Sequence, residues 1–489
     1  MCSSFVWRPT AAALAALAAA ATAAFLGGCA AVGPNYQAKP PELDPAFIAA
    51  GTANANAQPI ATDIASFWRG FQDARLNALV ERALAANGDV LIAQARLQEA
   101  RALQGQADAA GLPGVGIDTS ATRAIQPITQ RPGTSRAERT GNTLDASFIA
   151  AWEIDLFGGL RRAGESAAAR VGASVAGLHA ARTAVVSEVA RNYMELRGLQ
   201  QRRQFTEDSL VNQRDALRIT TARVDAGRGT QLDLARAQGL VASTEAALPA
   251  LQTAIEQTVF RLATLTAQTS RRLLTELSAS APLPNLPVTD LAALPLGTPQ
   301  QWLQRRPDLL AAEREVAAAT ADIGVATAEL YPRLSLSGLL GLNAGSLSAS
   351  GRSESARYSV GAGLSWTPFD SGAIRSRIRS SEARAAQSLA RFDLTLATAL
   401  EETEGAFSRY TRTAQRAQSL SVATSSAQEA ASLARKRYDA GFTDFLAVLD
   451  AEREVLGSRD QLVQAQVGVA TSLVAVYRSL GGGWTPTAP

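Results

Sequence analysis

The chain has 489 residues and only two cysteines, both before position 30. A disulfide framework or a site of several thiolates is therefore excluded from the body of the protein. The one histidine, His179, lies inside a helical pattern, where a lone imidazole is more often a surface or interface residue than a ligand. Aromatic residues make up 6% of the chain although 47% is hydrophobic, and alanine dominates the apolar share. Small apolar side chains suit closely packed helices better than thick globular cores.

Neither sign of charge prevails, because 47 Lys and Arg residues stand against 44 Asp and Glu residues and leave a formal charge of +3. No run of basic residues is flanked by aromatic ones, so nucleic acid is not expected as a partner. The sequence also lacks a nucleophile paired with a base, a metal-ligand constellation and a phosphate-binding loop. We therefore expect neither an enzyme nor a bound cofactor.

The N-terminus predicts the compartment. The apolar stretch from Ala11 to Leu26 has the length of a signal-peptide core and is short for a membrane span. It ends in Leu26-Gly27-Gly28-Cys29, which resembles the bacterial lipobox, and Ala30 follows the cysteine. The resemblance implies cleavage before Cys29, covalent N-palmitoyl and S-diacylglycerol groups on it, and sorting to the outer membrane. A plain signal peptide with an incidental cysteine is the alternative.

The sequence contains an internal duplication with an offset of 214 positions. The offset relates 223–227 (RVDAG) to 437–441 (RYDAG), and also the pairs Glu188 and Glu402, Tyr193 and Phe407, and Trp152 and Trp366. A glycine in each half interrupts a long helical pattern, and glycine tolerates the positive φ that a chain reversal favours. We predict a helical hairpin in each half, with tips at Gly227 and Gly441. The first helix, from about Gly159 to Ala226, would be about 100 Å long.

Each half also has two short segments in which apolar and polar residues alternate, and a period of two predicts a β-hairpin. The segments lie between Pro113 and Trp152 in the first half and between Pro332 and Trp366 in the second. One face of these strands is apolar and ends in an aromatic residue, and the other face is small and polar. Strands of about 10 residues are long enough to cross a bilayer when tilted. A half-buried hairpin on a soluble core is the alternative.

Four amphipathic strands cannot close a barrel, and an open sheet in lipid would leave unpaired backbone groups that each cost several kcal/mol. Several chains must therefore pool their strands. Three chains would give twelve strands around an aqueous lumen, although the sequence alone leaves the number open. The predicted segments are a signal peptide (1–28), a lipidated arm (29–62), a first repeat (63–275; β-hairpin about 113–156, tip 227), a proline-rich linker (276–306), a second repeat (307–482; β-hairpin about 332–370, tip 441) and a tail (483–489).

A set of motifs, in register with the duplication, resembles the outer-membrane efflux factors. The motifs are Cys29 with Gly33-Pro34-Asn35-Tyr36, Arg305-Arg306-Pro307-Asp308, Tyr331-Pro332, Trp152-Glu153-Ile154-Asp155-Leu156-Phe157-Gly158, and Tyr438 and Gly441 leading to Leu449-Asp450-Ala451-Glu452-Arg453. These are the motifs of TolC-like channels, in particular of their NodT-type lipoprotein branch. Each motif is weak alone, but together they cover essentially all of the mature chain.

The resemblance implies an α+β membrane protein: a homotrimer with a 12-stranded β-barrel in the outer membrane, four strands per chain, continuous with a long periplasmic α-helical barrel. It implies a periplasmic adaptor and an inner-membrane resistance-nodulation-division pump as partners. The channel would passively conduct drugs, toxic small molecules or metal ions from the pump to the outside. Type I protein secretion is the nearest alternative, and a structural envelope lipoprotein is a further one.

The same resemblance assigns roles to residues at the two ends of the protein. The tips at Gly227 and Gly441 would dock the adaptor, or be turns alone. Asp450 and Asp444 would each form a ring of three carboxylates that favours cations at the aperture, or else lie on a solvated helix face. Tyr438 resembles an aromatic that latches the closed tip, although Thr443 stands where some relatives carry its arginine partner. Trp152 and Trp366 are expected at the membrane interface, in contact with outer-membrane lipid.

Overall fold

We describe the protein from a computed structural model, which covers residues 31–38, 41–48, 65–287 and 298–484. The predicted signal peptide and Cys29 lie outside these residues. A 3₁₀ helix, Phe67–Phe71, precedes the first α-helix. The remaining elements are α1 (Ala74–Ala86), α2 (Gly88–Ala109), β1 (Gly114–Ile125), α3 (Arg136–Arg139), β2 (Thr140–Ile154), α4 (Gly159–Asp225), α5 (Gln231–Leu265), α6 (Ser270–Glu276), α7 (Pro299–Leu303), α8 (Pro307–Ala328), β3 (Arg333–Ala344), β4 (Ala356–Ser365), α9 (Ala373–Asp439) and α10 (Phe445–Ser479).

The two halves repeat their long helices without any change of length. The helices α4 and α9 have 67 residues each, α5 and α10 have 35 each, and each second copy begins 214 positions after the first. The predicted helical hairpins are therefore confirmed. Both 67-residue helices are free of proline, whereas α5 tolerates Pro249 in its interior.

The four strands form one antiparallel sheet in the order β1-β2-β3-β4. The pairing of β2 with β3, from Leu144 opposite Ala344 to Ile154 opposite Leu334, joins the two predicted β-hairpins into that sheet. Residues alternate between two faces, as the period of two predicts. The outer strands β1 and β4 each leave one edge without a partner strand in a single chain.

The chain divides into two compact units, and they do not coincide with the two repeats. Unit 1 contains 1–39, 98–173 and 312–392, which include the sheet, and unit 2 contains 40–97, 174–311 and 393–489, which include both helical tips. Each unit therefore draws on both halves of the sequence, and the division by repeats stays a prediction. The proline-rich linker contains a short helix that was not predicted, α7, which Thr298 and Gln301 cap through a reciprocal pair of hydrogen bonds.

No helix in the described part of the chain is both long enough and apolar enough to span a membrane. Within the same residues, no group of three or more His, Cys, Asp or Glu side chains is placed to hold a metal ion.

Candidate functional site

The two tips have the same backbone geometry. Gly227 and Gly441 have φ angles of +71° and +78°, as the sequence predicts. At the second tip the Phe442 amide donates to the Arg437 carbonyl at 2.8 Å, and at the first the Arg228 amide donates to the Arg223 carbonyl at 2.8 Å. A Cβ atom added at either glycine would meet no atom within 4 Å. The backbone angle, and not crowding, therefore favours glycine, and both turns lie open to solvent.

An apolar cluster, here the tip cluster, joins the two hairpins just above the turns. It consists of Ala216, Ala237, Leu240, Phe445, Val448 and Leu449, with Leu217, Ala434 and Tyr438 packed against it. These residues come from four helices, α4, α5, α9 and α10. The two tips therefore form one packed body within unit 2.

Tyr438 lies at the edge of the tip cluster, between the two hairpins. Its ring centroid is 5.3 Å from that of Phe445, and the Arg223 guanidinium carbon lies 4.3 Å from the Tyr438 centroid. This is the geometry of a cation–π contact, which contributes about 0.5–1 kcal/mol at an exposed site. Arg223 was not predicted from the sequence. The only sequence feature that points to Arg223 is the duplication, which places it in the first tip at the position that corresponds to Arg437 in the second tip.

The two predicted aperture carboxylates have different surroundings. Asp444 caps α10, because its carboxylate accepts a hydrogen bond from the Ala447 amide at 3.2 Å. Asp450 is exposed on the first turns of α10, and its carboxylate lies 3.7 Å from the Arg453 guanidinium. The capping role of Asp444 was missed, although a Thr-Asp pair before an apolar run is a signature of a helix start. The carboxylate rings stay predictions.

Glu452 is a third acidic residue near the second tip, and it is largely buried. Its carboxylate lies 3.4 Å from the Arg435 guanidinium, and its side chain is 18% exposed. Burial raises the pKa of Glu452, and the positive charge of Arg435 partly opposes that rise. The corresponding residue of the first half is Gln238, so only the second hairpin carries this charged pair.

Trp152 and Trp366 end their strands in matching ways. The Trp152 indole donates to the Gly111 carbonyl at 2.9 Å, and the Trp366 indole donates to the Leu330 carbonyl at 3.0 Å. Both rings remain partly exposed, at 38% and 56%. A ring with a satisfied polar end and an exposed apolar body suits a membrane–water boundary, and this role stays a prediction.

The described start of the arm, 31–38, is bound to unit 1 around Arg162. This side chain is 4% exposed and donates to the Val32 carbonyl at 3.1 Å and to Asn35 Oδ1 at 2.6 Å. Gly33, at φ +89°, packs so closely on Gly324 that a Cβ atom would lie 2.5 Å from its Cα. Residues 31–38 are therefore held by hydrogen bonds and close backbone packing within unit 1. Arg162 itself was not predicted, because its partners lie about 130 positions away.

Comparison with known proteins identifies the family and the fold. The family model described as outer membrane efflux protein matches residues 79–268 and 298–482. The chain belongs to the outer membrane efflux protein family. The pyoverdine export outer membrane protein OpmQ of Pseudomonas putida is 31% identical over 426 residues, which are 86% of this chain and 89% of that protein.

Two further similarities extend over nearly the whole length of this efflux protein. Nodulation protein T of Rhizobium leguminosarum bv. trifolii is 29% identical over 464 residues, 95% of this chain and 96% of that protein. The solved outer-membrane channel OprN superposes with a TM-score of 0.85 at 39% identity, and the match covers 94% of this chain and 100% of that one. The resemblance seen in the motifs is thus confirmed.

Membership of the outer membrane efflux protein family establishes the general function of the chain. The protein is an outer-membrane efflux channel, and its family is a family of channels and not of enzymes. Its tips, strand ends and arm are therefore parts of a channel protein.

Proposed function

We propose that three copies of this chain form the outer-membrane channel of a tripartite efflux system. A periplasmic adaptor docks at the open turns around Gly227 and Gly441, and an inner-membrane pump of the resistance-nodulation-division type supplies the energy. The channel itself conducts drugs, toxic small molecules or metal ions passively.

The four-stranded sheet carries this proposal. One face presents apolar side chains such as Phe148 and Val360, and the other presents small and polar ones such as Ser147 and Ser359. An apolar outer face against lipid and a polar inner face against water suit a barrel wall. The free edges of β1 and β4 cannot stay unpaired in lipid, because each unpaired amide or carbonyl costs several kcal/mol there. Pairing of β4 with β1 of the next chain removes both edges, and three chains give twelve strands.

The cargo follows from the lining and from the relatives. The polar face consists largely of Gly, Ser and Thr, with few groups that could recognise one substrate. Relatives are named for the export of pyoverdine and of toluene. A weakly selective path for small molecules fits both facts, and selection is then left to the pump.

Reconstitution tests the channel. Purified protein in planar bilayers should give water-filled, ohmic pores, and its gene should restore drug or solvent resistance to a strain that lacks its own efflux channel. Growth rescue together with an adaptor and pump supports the proposal. Pores without rescue, combined with export of a protein by a co-expressed transporter, would instead indicate type I secretion.

The lipid anchor has its own test. We propose that Cys29 carries the acyl groups, each buried methylene of which adds about 0.8 kcal/mol to membrane attachment. Cys29→Ser should abolish metabolic labelling with palmitate, while Cys2→Ser, a matched control, should leave the label unchanged. Label that persists in Cys29→Ser contradicts the anchor.

A further inference from the structure

A polar cluster crosses three strands on the polar face of the sheet. Arg357, near the start of β4, donates from Nη2 to an Asp145 carboxylate oxygen at 2.5 Å and to the Ser147 hydroxyl at 3.0 Å. The Asn343 amide donates to the second oxygen of Asp145 at 2.8 Å, and the Ser147 hydroxyl donates to the first at 2.9 Å. Asp145 and Ser147 belong to β2, so the arginine reaches over β3. We call these four residues the strand clasp.

A glycine makes this reach possible. Gly341 of β3 pairs with Ser147 on one side and with Arg357 on the other. A side chain at Gly341 would collide with the Ser147 hydroxyl. Because Gly341 has no side chain, the Arg357 side chain can extend across β3 to reach β2. Asp145 is 14% exposed while Arg357 is 42% exposed, so the carboxylate is covered and the guanidinium faces the solvent of the polar face.

The strand clasp also contributes two of the three charged strand residues at the loop end of the polar face. The register places five charged residues on the polar face: Asp118, Asp145, Glu153, Arg333 and Arg357. Glu153 and Arg333 lie in the rows next to the helices, whereas Asp118, Asp145 and Arg357 lie toward the loops. The rows between carry no charge. Among the paired strand residues, Arg357 is thus the one cation at the loop end of this face, and their formal charge there is −1 per chain.

The opposite face offers an internal comparison. Among the described strand residues of the apolar face, Arg123 is the one that carries a charge, and it also lies toward the loops, opposite Asn142. The same residue type therefore occurs at the same end of the sheet on both faces. In a barrel only Arg357 would touch the water path.

We propose that Arg357 lowers the preference of the outer mouth of the channel for cations, because its charge neutralises that of Asp145. This inference rests on the proposed barrel, in which the polar face lines the lumen. With the clasp intact, the strand residues at the loop end of the polar face carry a net charge of −3 in three chains, and without the Arg357 charge that value becomes −6. The loops beyond the strands add Arg131, Arg136, Glu138, Arg139, Arg352 and Glu354, which are the same in every variant. The mouth is wide, and its field is screened beyond about 10 Å at 0.1 M salt. Arg357 therefore biases small ions and charged solutes weakly, and it leaves neutral cargo unaffected.

The test compares reversal potentials of the full-length trimer in planar bilayers under a salt gradient at low ionic strength. Arg357→Gln should raise the cation-to-anion permeability ratio by about twofold, since charge in a lumen attracts counter-ions. Arg123→Gln removes the same charge from the other face and should leave the ratio unchanged. Asp145→Asn should lower the ratio, and the double variant, whose net charge equals that of the wild type, should restore it.

Each outcome either supports the inference or overturns it. Equal shifts in Arg357→Gln and Arg123→Gln, or no shift in either, overturn the inference. A rise in the ratio for Asp145→Asn also overturns it, because loosening of the sheet and not charge would then be the cause. The shifts should fade in 1 M salt, where the screening length is about 3 Å. If the wild-type protein forms no pore, the proposed function fails; if it forms pores whose ratio ignores Arg357, the inference fails alone.

Discussion

The helices α4 and α9 begin and end 214 positions apart, yet they bury different side chains at matching places. In the first half the Tyr193 hydroxyl donates to the Asp73 carboxylate at 2.7 Å and accepts from the Arg197 guanidinium at 3.0 Å. In the second half Phe407 occupies the Tyr193 position and packs edge-on against Phe47, with centroids 5.3 Å apart. Thr411 stands in place of Arg197.

Both halves also bury arginines, at different points of the repeat: Arg162 and Arg197 in the first half and Arg306 in the second. Arg197 is fully buried and donates to Gln200 Oε1 at 2.7 Å and to the Ala279 carbonyl at 3.0 Å. Arg306, 7% exposed, comes just before α8 and binds Asp308 at 2.6 Å and Glu402 at 2.9 Å. The comparison teaches that a duplicated backbone leaves the polar part of the core free to diverge. What both halves keep is hydrogen-bond partners from other segments for these buried arginines.

The largest effect should come from removing Arg197, the fully buried arginine of the first half. Arg197→Ala leaves the Ala279 carbonyl, Gln200 and Tyr193 without a buried donor. Since each unsatisfied buried group costs about 1–3 kcal/mol, we expect this variant to lose the most free energy of unfolding. Arg306→Ala should cost less, because Asp308 and Glu402 are partly exposed and can turn to water. Chemical denaturation of the detergent-solubilised protein measures both.

The control for this pair is Arg191→Ala. Arg191 pairs with Glu188 at 2.7 Å on the surface of the same helix, and such a pair contributes about 0–1 kcal/mol. If Arg197→Ala destabilises the protein no more than Arg191→Ala does, the buried network is not a main support of the first half.

Exchange of the aromatic pair should have an intermediate effect. Tyr193→Phe removes the hydroxyl between Asp73 and Arg197, and Phe407→Tyr adds a hydroxyl beside Phe47, so each should cost about 1–3 kcal/mol for an unsatisfied buried group. Thermal unfolding midpoints of the two single variants measure this. Equal stability of Phe407→Tyr and the wild type would mean that the second half already holds a partner for the added hydroxyl.

The two halves should also differ in how their stability depends on alkaline pH, because Tyr193 of the first half can ionise and Phe407 of the second half cannot. Burial and the hydrogen bond to Asp73 raise the pKa of Tyr193 to about 12. A phenol whose pKa is higher in the folded than in the unfolded state contributes stability that is complete below pH 10 and is lost as pH approaches 12. Tyr193→Phe should therefore flatten part of the decline in melting temperature between pH 10 and 12. Burial also raises the pKa of Tyr36 to about 12, so Tyr36→Phe should flatten a further part of that decline.

The smallest change concerns the tips, and it appears in conduction rather than in stability. Asp450 of the second half corresponds to Arg236 of the first. Asp450→Ala should raise conductance and relax cation preference in planar bilayers, because a ring of three exposed carboxylates is lost. Arg236→Ala is the matched variant of the first hairpin. Unchanged currents and selectivity in Asp450→Ala would remove Asp450 from the aperture.

Local patterns account for what could be predicted. Period-two alternation located four strands, the absence of proline located the long helices, and Gly227 and Gly441 located the turns. Each of these signals acts within a few residues of chain. The seat of Arg162 and the strand clasp of Arg357 escaped prediction because their partners lie about 130 and 210 positions away. The capping role of Asp444 was not predicted for a different reason. Its local capping signal was present, but the resemblance assigned Asp444 to a carboxylate ring instead.

By itself the sequence determined a duplicated chain of long helices and amphipathic strands, because backbone propensity and side-chain periodicity are local properties. Only the tertiary structure decided which arginine meets which acceptor. No local signal marks Arg162, Arg197 or Arg357 among the 47 basic residues, and the motif that contains Arg306 does not show which acceptors it meets. Burial then requires three of them to find specific acceptors on other segments, and the absence of a side chain at Gly341 allows the fourth to cross a strand.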